Sequence, residues 1–277
     1  SLIVMDAPPE KENSAPFVDI DQRLRVAGLA APEIFHFDLD RGFGLLEDFG
    51  DTLYREIINQ SSIDDLMPGL LEVLTTMAGK VETQGLPHYH SLKLQQELSL
   101  FPDWYLRVHK KRPFHHMDWL EWNALSVQLI KSAYEQPQVF VHRDFHSCNL
   151  LKTPDGRPGL IDFQDGVLGP VSYDLVSLLW DRYIAWPRER LEAWMLQYHD
   201  QLRLNCDPHT WIRWCDLMGL QRNLKIVGIF ARLNYRDNKQ GYLDMIPRFY
   251  NYLLDVLPRY PEFSTFHQLL EQTECAP

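Results

Sequence analysis

The sequence predicts an α+β fold in which a small, β-rich lobe precedes a large helical lobe. Three observations carry this prediction. Short apolar runs bounded by turn residues crowd into the first 50 residues, helical apolar spacing takes over from Asp51 onward, and no repeat, low-complexity tract or long linker intervenes. The two lobes, residues 1–50 and 51–277, are expected to act as one unit.

The elements follow in order. An apolar run at 2–5, stopped by Asp6 and the Pro8-Pro9 break, reads as a strand, and a helical pattern follows at 16–24. Residues 32–38 and 42–50 read as two strands around a polar turn at 38–41, making a small sheet with the first. Helices are expected at 63–77, 118–134, 189–204, 210–234, 242–256 and 265–272. Between them, 139–141 and 159–161 are short extended runs separated by a strong turn signal, Thr153-Pro154-Asp155-Gly156.

With 277 residues, 45% of them hydrophobic, the chain can bury a sizeable core. A net charge of −11 argues against nucleic-acid and membrane-surface partners, which demand dense positive patches, and leaves small molecules or proteins. Cys148, Cys206, Cys215 and Cys275 lack paired zinc spacing and are too sparse for a disulfide scaffold, so a reduced, cytoplasmic setting is expected. The opening apolar run is too short for a signal sequence or a membrane span.

The chemistry sits mid-chain. His142, Arg143, Asp144 and Asn149 are followed by Leu160-Ile161-Asp162-Phe163-Gln164-Asp165. Phosphoryl transfer from a nucleotide needs a carboxylate at the acceptor hydroxyl and oxygen ligands for hard Mg²⁺ ions. Asp144 suits the first role, and Asn149 and Asp162 the second. His142 is expected to pack beneath the loop and Arg143 to pair with an acid. The competing readings are ordinary polar loop residues, or a zinc site from His142, His146 and Cys148 that lacks a fourth ligand at matching spacing.

These motifs resemble those of the aminoglycoside and choline phosphotransferase family, whose fold is two-lobed and protein-kinase-like. The resemblance identifies residues 142–149 with the catalytic loop, Asp162 with the metal-binding aspartate, and Asp174, in Gly169-Pro170-Val171-Ser172-Tyr173-Asp174-Leu175, with the aspartate that buttresses the loop. Residues 4–12, 97–105 and 220–237 are similar to a branch of that family, the bacterial anomeric kinases of cell-wall recycling. Those enzymes phosphorylate N-acetylmuramate and N-acetylglucosamine at the C1 hydroxyl. The resemblance implies ATP and Mg²⁺ as cofactors and an amino-sugar acceptor; an aminoglycoside or choline-type acceptor, or an inactive nucleotide-binding module, stands as the alternative.

By that resemblance the chain opens at the third strand of an N-terminally incomplete small lobe. Val4-Met5-Asp6 stands where a kinase carries a phosphate-binding lysine, with Lys11 in a later loop, and the metal motif reads Asp-Phe-Gln instead of Asp-Phe-Gly. Main-chain groups of the inter-lobe segment read the adenine edge in this fold, which points to Leu46, Glu47 and Asp48; the side chains of the two acids also fit a solvated turn. Asp103 and Trp104 suit sugar recognition through a carboxylate acceptor and a flat indole face, with core packing the alternative for Trp104. Arg222, Lys225, Arg232 and Arg236 share one helical stripe opposite Leu224, Val227 and Ala231. That stripe is either a solvated face paired with neighbouring acids or, through Arg232 or Arg236, a contact for an anion such as the lactyl carboxylate of N-acetylmuramate.

Overall fold

The computed structural model describes residues 1–274, so Cys275 lies outside the described residues. In chain order the elements are β1 (Leu2–Asp6), α1 (Ala15–Val26), β2 (Ile34–Asp38), β3 (Phe43–Glu47), α2 (Tyr54–Ile57), α3 (Ile63–Lys80), α4 (Ser91–Leu98), a π-helical segment (Phe101–His109), α5 (His116–Glu135), β4 (Gln138–Val141), β5 (Leu150–Lys152), β6 (Pro158–Leu160), β7 (Val167–Pro170), α6 (Tyr173–Leu179), α7 (Arg188–Leu202), α8 (Pro208–Tyr235), α9 (Ile246–Val256) and α10 (Ser264–Glu274). By internal contacts the chain divides into one unit comprising Ser1–His88 and Pro137–Cys206, and a second comprising Tyr89–Gln136 and the chain from Asp207 onward.

The first unit opens with an antiparallel sheet of order β1-β3-β2. Gly42, at φ +74°, makes the turn into β3 against the Ala7 carbonyl, and a Cβ there would fall 2.0 Å from that oxygen. Two further strand pairs, β4 with β7 and β5 with β6, frame the mid-chain motifs. Residues 159–161 thus pair with the strand that follows Asn149, while β4 takes β7 as its neighbour. The core is apolar and aromatic, with Leu24, Leu70, Phe140, Phe145, Leu160, Phe163 and Met195 all buried.

One buried group on α1 opposes this core. Asp21 is 2% exposed, and its Oδ1 has no hydrogen-bond partner among the described residues. Burial pushes its carboxyl up to about 6; Arg25 works against that shift and Glu33 adds to it. Since the folded-state value lies above the unfolded one of 3.8, the protonated form favours the fold, and stability falls as pH rises from about 4 to about 6. Asp21→Asn is expected to raise stability at pH 7 by roughly 2–3 kcal/mol and to flatten that slope. Thermal melts of both proteins between pH 4 and 7 check this, and equal melting temperatures at pH 7 would contradict it.

The second unit is helical. α8 runs unbroken through its middle with residues buried on all sides, among them Leu217, Leu220, Leu224, Val227 and Ala231. At Gly228 the helix meets the backbone that leads into the π-helical segment, and a Cβ would stand 2.4 Å from the Leu100 carbonyl carbon. The solvated-face reading of the basic stripe therefore does not hold along its length. Arg222 is buried and Lys225 pairs at 3.4 Å with the buried Glu97, because α8 is packed all round instead of lying on the surface. Among the described residues no helix is long and apolar enough to cross a membrane.

Candidate active site

β4 ends in the loop that carries His142 to Asn149, and two buried carboxylates fix that loop. Asp174, in the first turn of α6, accepts the backbone N–H of His142 at 2.6 Å on Oδ2 and that of Arg143 at 3.0 Å on Oδ1. Arg143 has left-handed backbone at φ +76°, a conformation that a side chain disfavours. Hydrogen bonds to a buried carboxylate offset that strain. Seven residues on, Asp181 accepts Ser147 N at 2.9 Å and Tyr183 N at 2.8 Å. The family resemblance points to Asp174 but not to Asp181, which lies just beyond the C-terminal end of α6 and partners the loop's far end.

His142 joins the two halves of the motif. Its ring is fully buried, with Nε2 donating to the Ile161 carbonyl at 3.1 Å and Nδ1 accepting Asp144 N–H at 3.4 Å. Burial lowers its pKa against the pull of the Asp144 and Asp162 charges, so the ring is neutral at pH 7. That is the form which the two hydrogen bonds require. His146 is likewise committed, to Cys148 N at 3.3 Å and to the Arg182 guanidinium at 3.1 Å, so a zinc site from His142, His146 and Cys148 has no free ring nitrogen.

The Asn149 amide nitrogen donates to the Asp144 carbonyl and to Asp162 Oδ2, both at 3.1 Å, while Ile161 N donates to the Asn149 carbonyl at 3.2 Å. Asp144, Asn149 and Asp162 are thus brought to one place from two separate stretches. Asp162 is exposed, stands at φ +63°, and receives a second amide hydrogen bond from Gln164 at 2.9 Å on Oδ1. Gln164, at the position where a kinase has glycine, is not among the residues with positive φ; the left-handed turn is taken by the aspartate itself.

This donor set fits Mg²⁺. An exposed carboxylate and an amide are hard oxygen ligands, and Mg²⁺ commonly takes only one or two protein ligands beside phosphate oxygens and water. Among the described residues no group of three or more His, Cys, Asp or Glu is disposed to hold a metal by itself, so a softer, wholly protein-bound ion is not what the site offers.

Beside Asp162 a cavity of about 340 Å³ is lined by β1 (Ile3, Met5), by Phe17 of α1, by residues 46–51 and by Leu151, Ile161 and Phe163. Phe17 stacks on Phe163 at 5.0 Å. Leu46, Glu47 and Asp48 therefore all border one apolar slot. The Glu47 carboxylate accepts Glu33 N at 3.1 Å and Glu47 N donates to the Glu33 carbonyl at 2.8 Å, so both serve the sheet. Asp48 turns onto Gly50 N at 2.8 Å, and hydrogen bonds from Ser1 and Gly50 hold its carboxyl below the usual range.

The remaining candidates belong to the second unit. Asp103 and Trp104 are half-buried on the π-helical segment, and Asp103 pairs with Arg107 at 3.4 Å. Arg232 is half-buried near the end of α8, its Nε without a hydrogen-bond partner among the described residues. Arg236 caps the helix and binds Asp237 through Nε at 2.6 Å and a terminal nitrogen at 2.9 Å, which lowers the pKa of that carboxyl.

Residues 1–209 match the profile described as the phosphotransferase enzyme family. An N-acetylmuramate/N-acetylglucosamine kinase of Pseudomonas putida is 39% identical over 99% of this chain and 82% of its own length. A protein of the same name from Neisseria meningitidis is 37% identical over 98% and 83%. Among solved structures, choline kinase LicA from Streptococcus pneumoniae superposes with a TM-score of 0.65 at 16% identity, covering 94% of this chain and 86% of that one. An ADP-bound aminoglycoside phosphotransferase, APH(2'')-Ib, gives 0.55 at 14% identity over 87% and 81%. The fold is the protein-kinase-like one of those enzymes.

Proposed function

We infer the function from one premise: the chain belongs to the phosphotransferase enzyme family. The protein is an ATP- and Mg²⁺-dependent sugar kinase that transfers the γ-phosphate to the anomeric hydroxyl of N-acetylmuramate, N-acetylglucosamine or both. The observation that carries this reading is the Asn149 amide, which ties the loop bearing Asp144 to Asp162. The names of the relatives support the choice of acceptor.

In this reading Asp144 orients the acceptor hydroxyl and takes its proton as the oxygen attacks phosphorus. Asn149 and Asp162 hold Mg²⁺, which supplies charge neutralisation at the phosphate oxygens when bound. Asp174 acts through the backbone of the loop, and His142 keeps Asp144 and Ile161 in register. The apolar slot at Leu46, Glu47 and Asp48 receives the base, with the division at residue 50 marking the nucleotide hinge. Glu47 N–H is already spent on Glu33, so the other main-chain groups of 46–50 do the reading.

Asp103 and Trp104 are the proposed sugar contacts, and Arg232 is favoured over Arg236 for the lactyl carboxylate. Its buried, unpartnered Nε suits an anion, whereas the Arg236 guanidinium is already held by Asp237. Arg232→Ala is expected to raise the KM for N-acetylmuramate by roughly 10- to 100-fold, the worth of a charged hydrogen bond, and to spare N-acetylglucosamine. Equal effects on the two sugars would contradict the assignment.

The function itself is tested with γ-labelled ATP, Mg²⁺ and a panel of N-acetylmuramate, N-acetylglucosamine, choline and an aminoglycoside. Label should pass to the amino sugars with loss of their reducing end, since phosphorylation at C1 blocks ring opening. Transfer to choline or the aminoglycoside alone would move the acceptor class, and no transfer to any of them would favour an inactive nucleotide-binding module.

A further inference from the structure

α5 buries one face and bares another. Trp122, Leu125 and Leu129 are 1%, 1% and 0% exposed, whereas Met117, Leu120, Val127 and Tyr134 are 64%, 51%, 62% and 53% exposed. With the exposed Ala124 and Lys131, the bare residues recur at alternating steps of three and four, the spacing by which one helix lies along another. A helix that only faced water would carry polar residues there.

We propose that this seam of α5 is a homodimer interface, in which α5 packs antiparallel on α5 of a second copy about a twofold axis. The seam is self-complementary in that register. A twofold between Ala124 and Val127 sets Met117 against the other copy's Tyr134, Leu120 against its Lys131, and Ala124 against its Val127, so a small residue meets a larger one at the centre. Lys131 is the only charge in the seam, and it falls on the same flank as Glu121 of the other copy, twice by symmetry. A parallel register sets Lys131 against Lys131. Within its own helix Lys131 has only the exposed Glu135 at 3.7 Å, which leaves it able to reach across.

A groove of about 410 Å³, lined by Ala124, Val127, Phe263 and Phe266, extends the apolar surface beside the centre of the seam. A 20-residue helix is about 30 Å long, so the contact falls short of the ~800 Å² per partner of a standard stable interface, and a dimer of micromolar affinity is expected.

Sedimentation velocity of the purified protein across a concentration series tests this. The wild type should pass from monomer to dimer, and Val127→Glu should raise the dissociation constant by roughly 100-fold with the melting temperature unchanged. Lys131→Glu and Glu121→Lys should each weaken association, and the double reversal should recover it. A wild type that stays monomeric throughout, a dimer indifferent to Val127→Glu, or a double reversal that does not recover would each overturn the proposal. The surface charge reversals keep it testable if Val127→Glu does not fold.

Discussion

Asp144→Asn is expected to reduce kcat by roughly 10²- to 10⁴-fold, the range a positioned acid or base contributes, while leaving the KM for ATP nearly unchanged. The substitution spares the architecture of the loop. The hydrogen bonds that Asp144 makes to Asn149 and His142 run through its backbone carbonyl and N–H, and Asp174 holds the residues before it. What changes is the charge and basicity of one half-buried side chain at the acceptor position. Steady-state kinetics at saturating Mg²⁺, with thermal melts as a control for folding, measure this. Turnover within a few fold of wild type would remove Asp144 from its role.

Asp162→Asn is expected to cost roughly 10³-fold in turnover and to shift the Mg²⁺ dependence of the residual rate to higher concentration. The cation is asked to supply several kcal/mol of charge stabilisation, and each 1.4 kcal/mol is tenfold in rate. The amide keeps the shape of the side chain and one oxygen acceptor for Asn149, while its NH2 group faces Gln164, whose own amide must reverse to accept it, so the loss reports chiefly the carboxylate charge. Together the two variants separate acceptor activation from metal binding, because only the second changes the Mg²⁺ titration. An unchanged Mg²⁺ titration for Asp162→Asn would contradict the metal assignment.

Legibility in the sequence followed the strength of the local physics. Strands at the chain start were readable because apolar runs ended in turn residues, and α3, α5, α7 and α10 because their apolar spacing was helical over two turns or more. α6 left no such signal. All seven of its residues are buried, so it has no polar face to alternate with the core, although it carries Asp174. β5 and β7 were missed although β4 and β6 are as short, because β5 follows the polar run Ser147-Cys148-Asn149 and ends on Lys152, and β7 closes on Gly169-Pro170, which reads as a turn. α4 and the π-helical segment, at eight and nine residues, mix polar and apolar positions over little more than two turns. α9 begins at Ile246 instead of at 242, after a 3-10 turn over Leu243–Met245.

At the site, residue identity and spacing carried Asp144, Asn149 and Asp162, because the chemistry demands particular oxygen donors at particular steps. Long-range partners were less readable. Asp181 secures Ser147 from across 34 residues, and His142 touches Ile161 from across 19; neither separation leaves a local pattern. The basic stripe misled for a related reason. Helical spacing gave the face correctly but not what lay opposite it, and Glu97 with Lys225 became a pair inside the second unit.

The most direct test is a crystal structure of the protein with a nonhydrolysable ATP analogue, Mn²⁺ in place of Mg²⁺, and N-acetylmuramate. The account predicts an anomalous peak about 2.0–2.3 Å from oxygens of Asp162 and Asn149, with the sugar's C1 hydroxyl within hydrogen-bond reach of Asp144. Metal bound away from both residues, or a sugar whose C1 hydroxyl points away from Asp144, would contradict it.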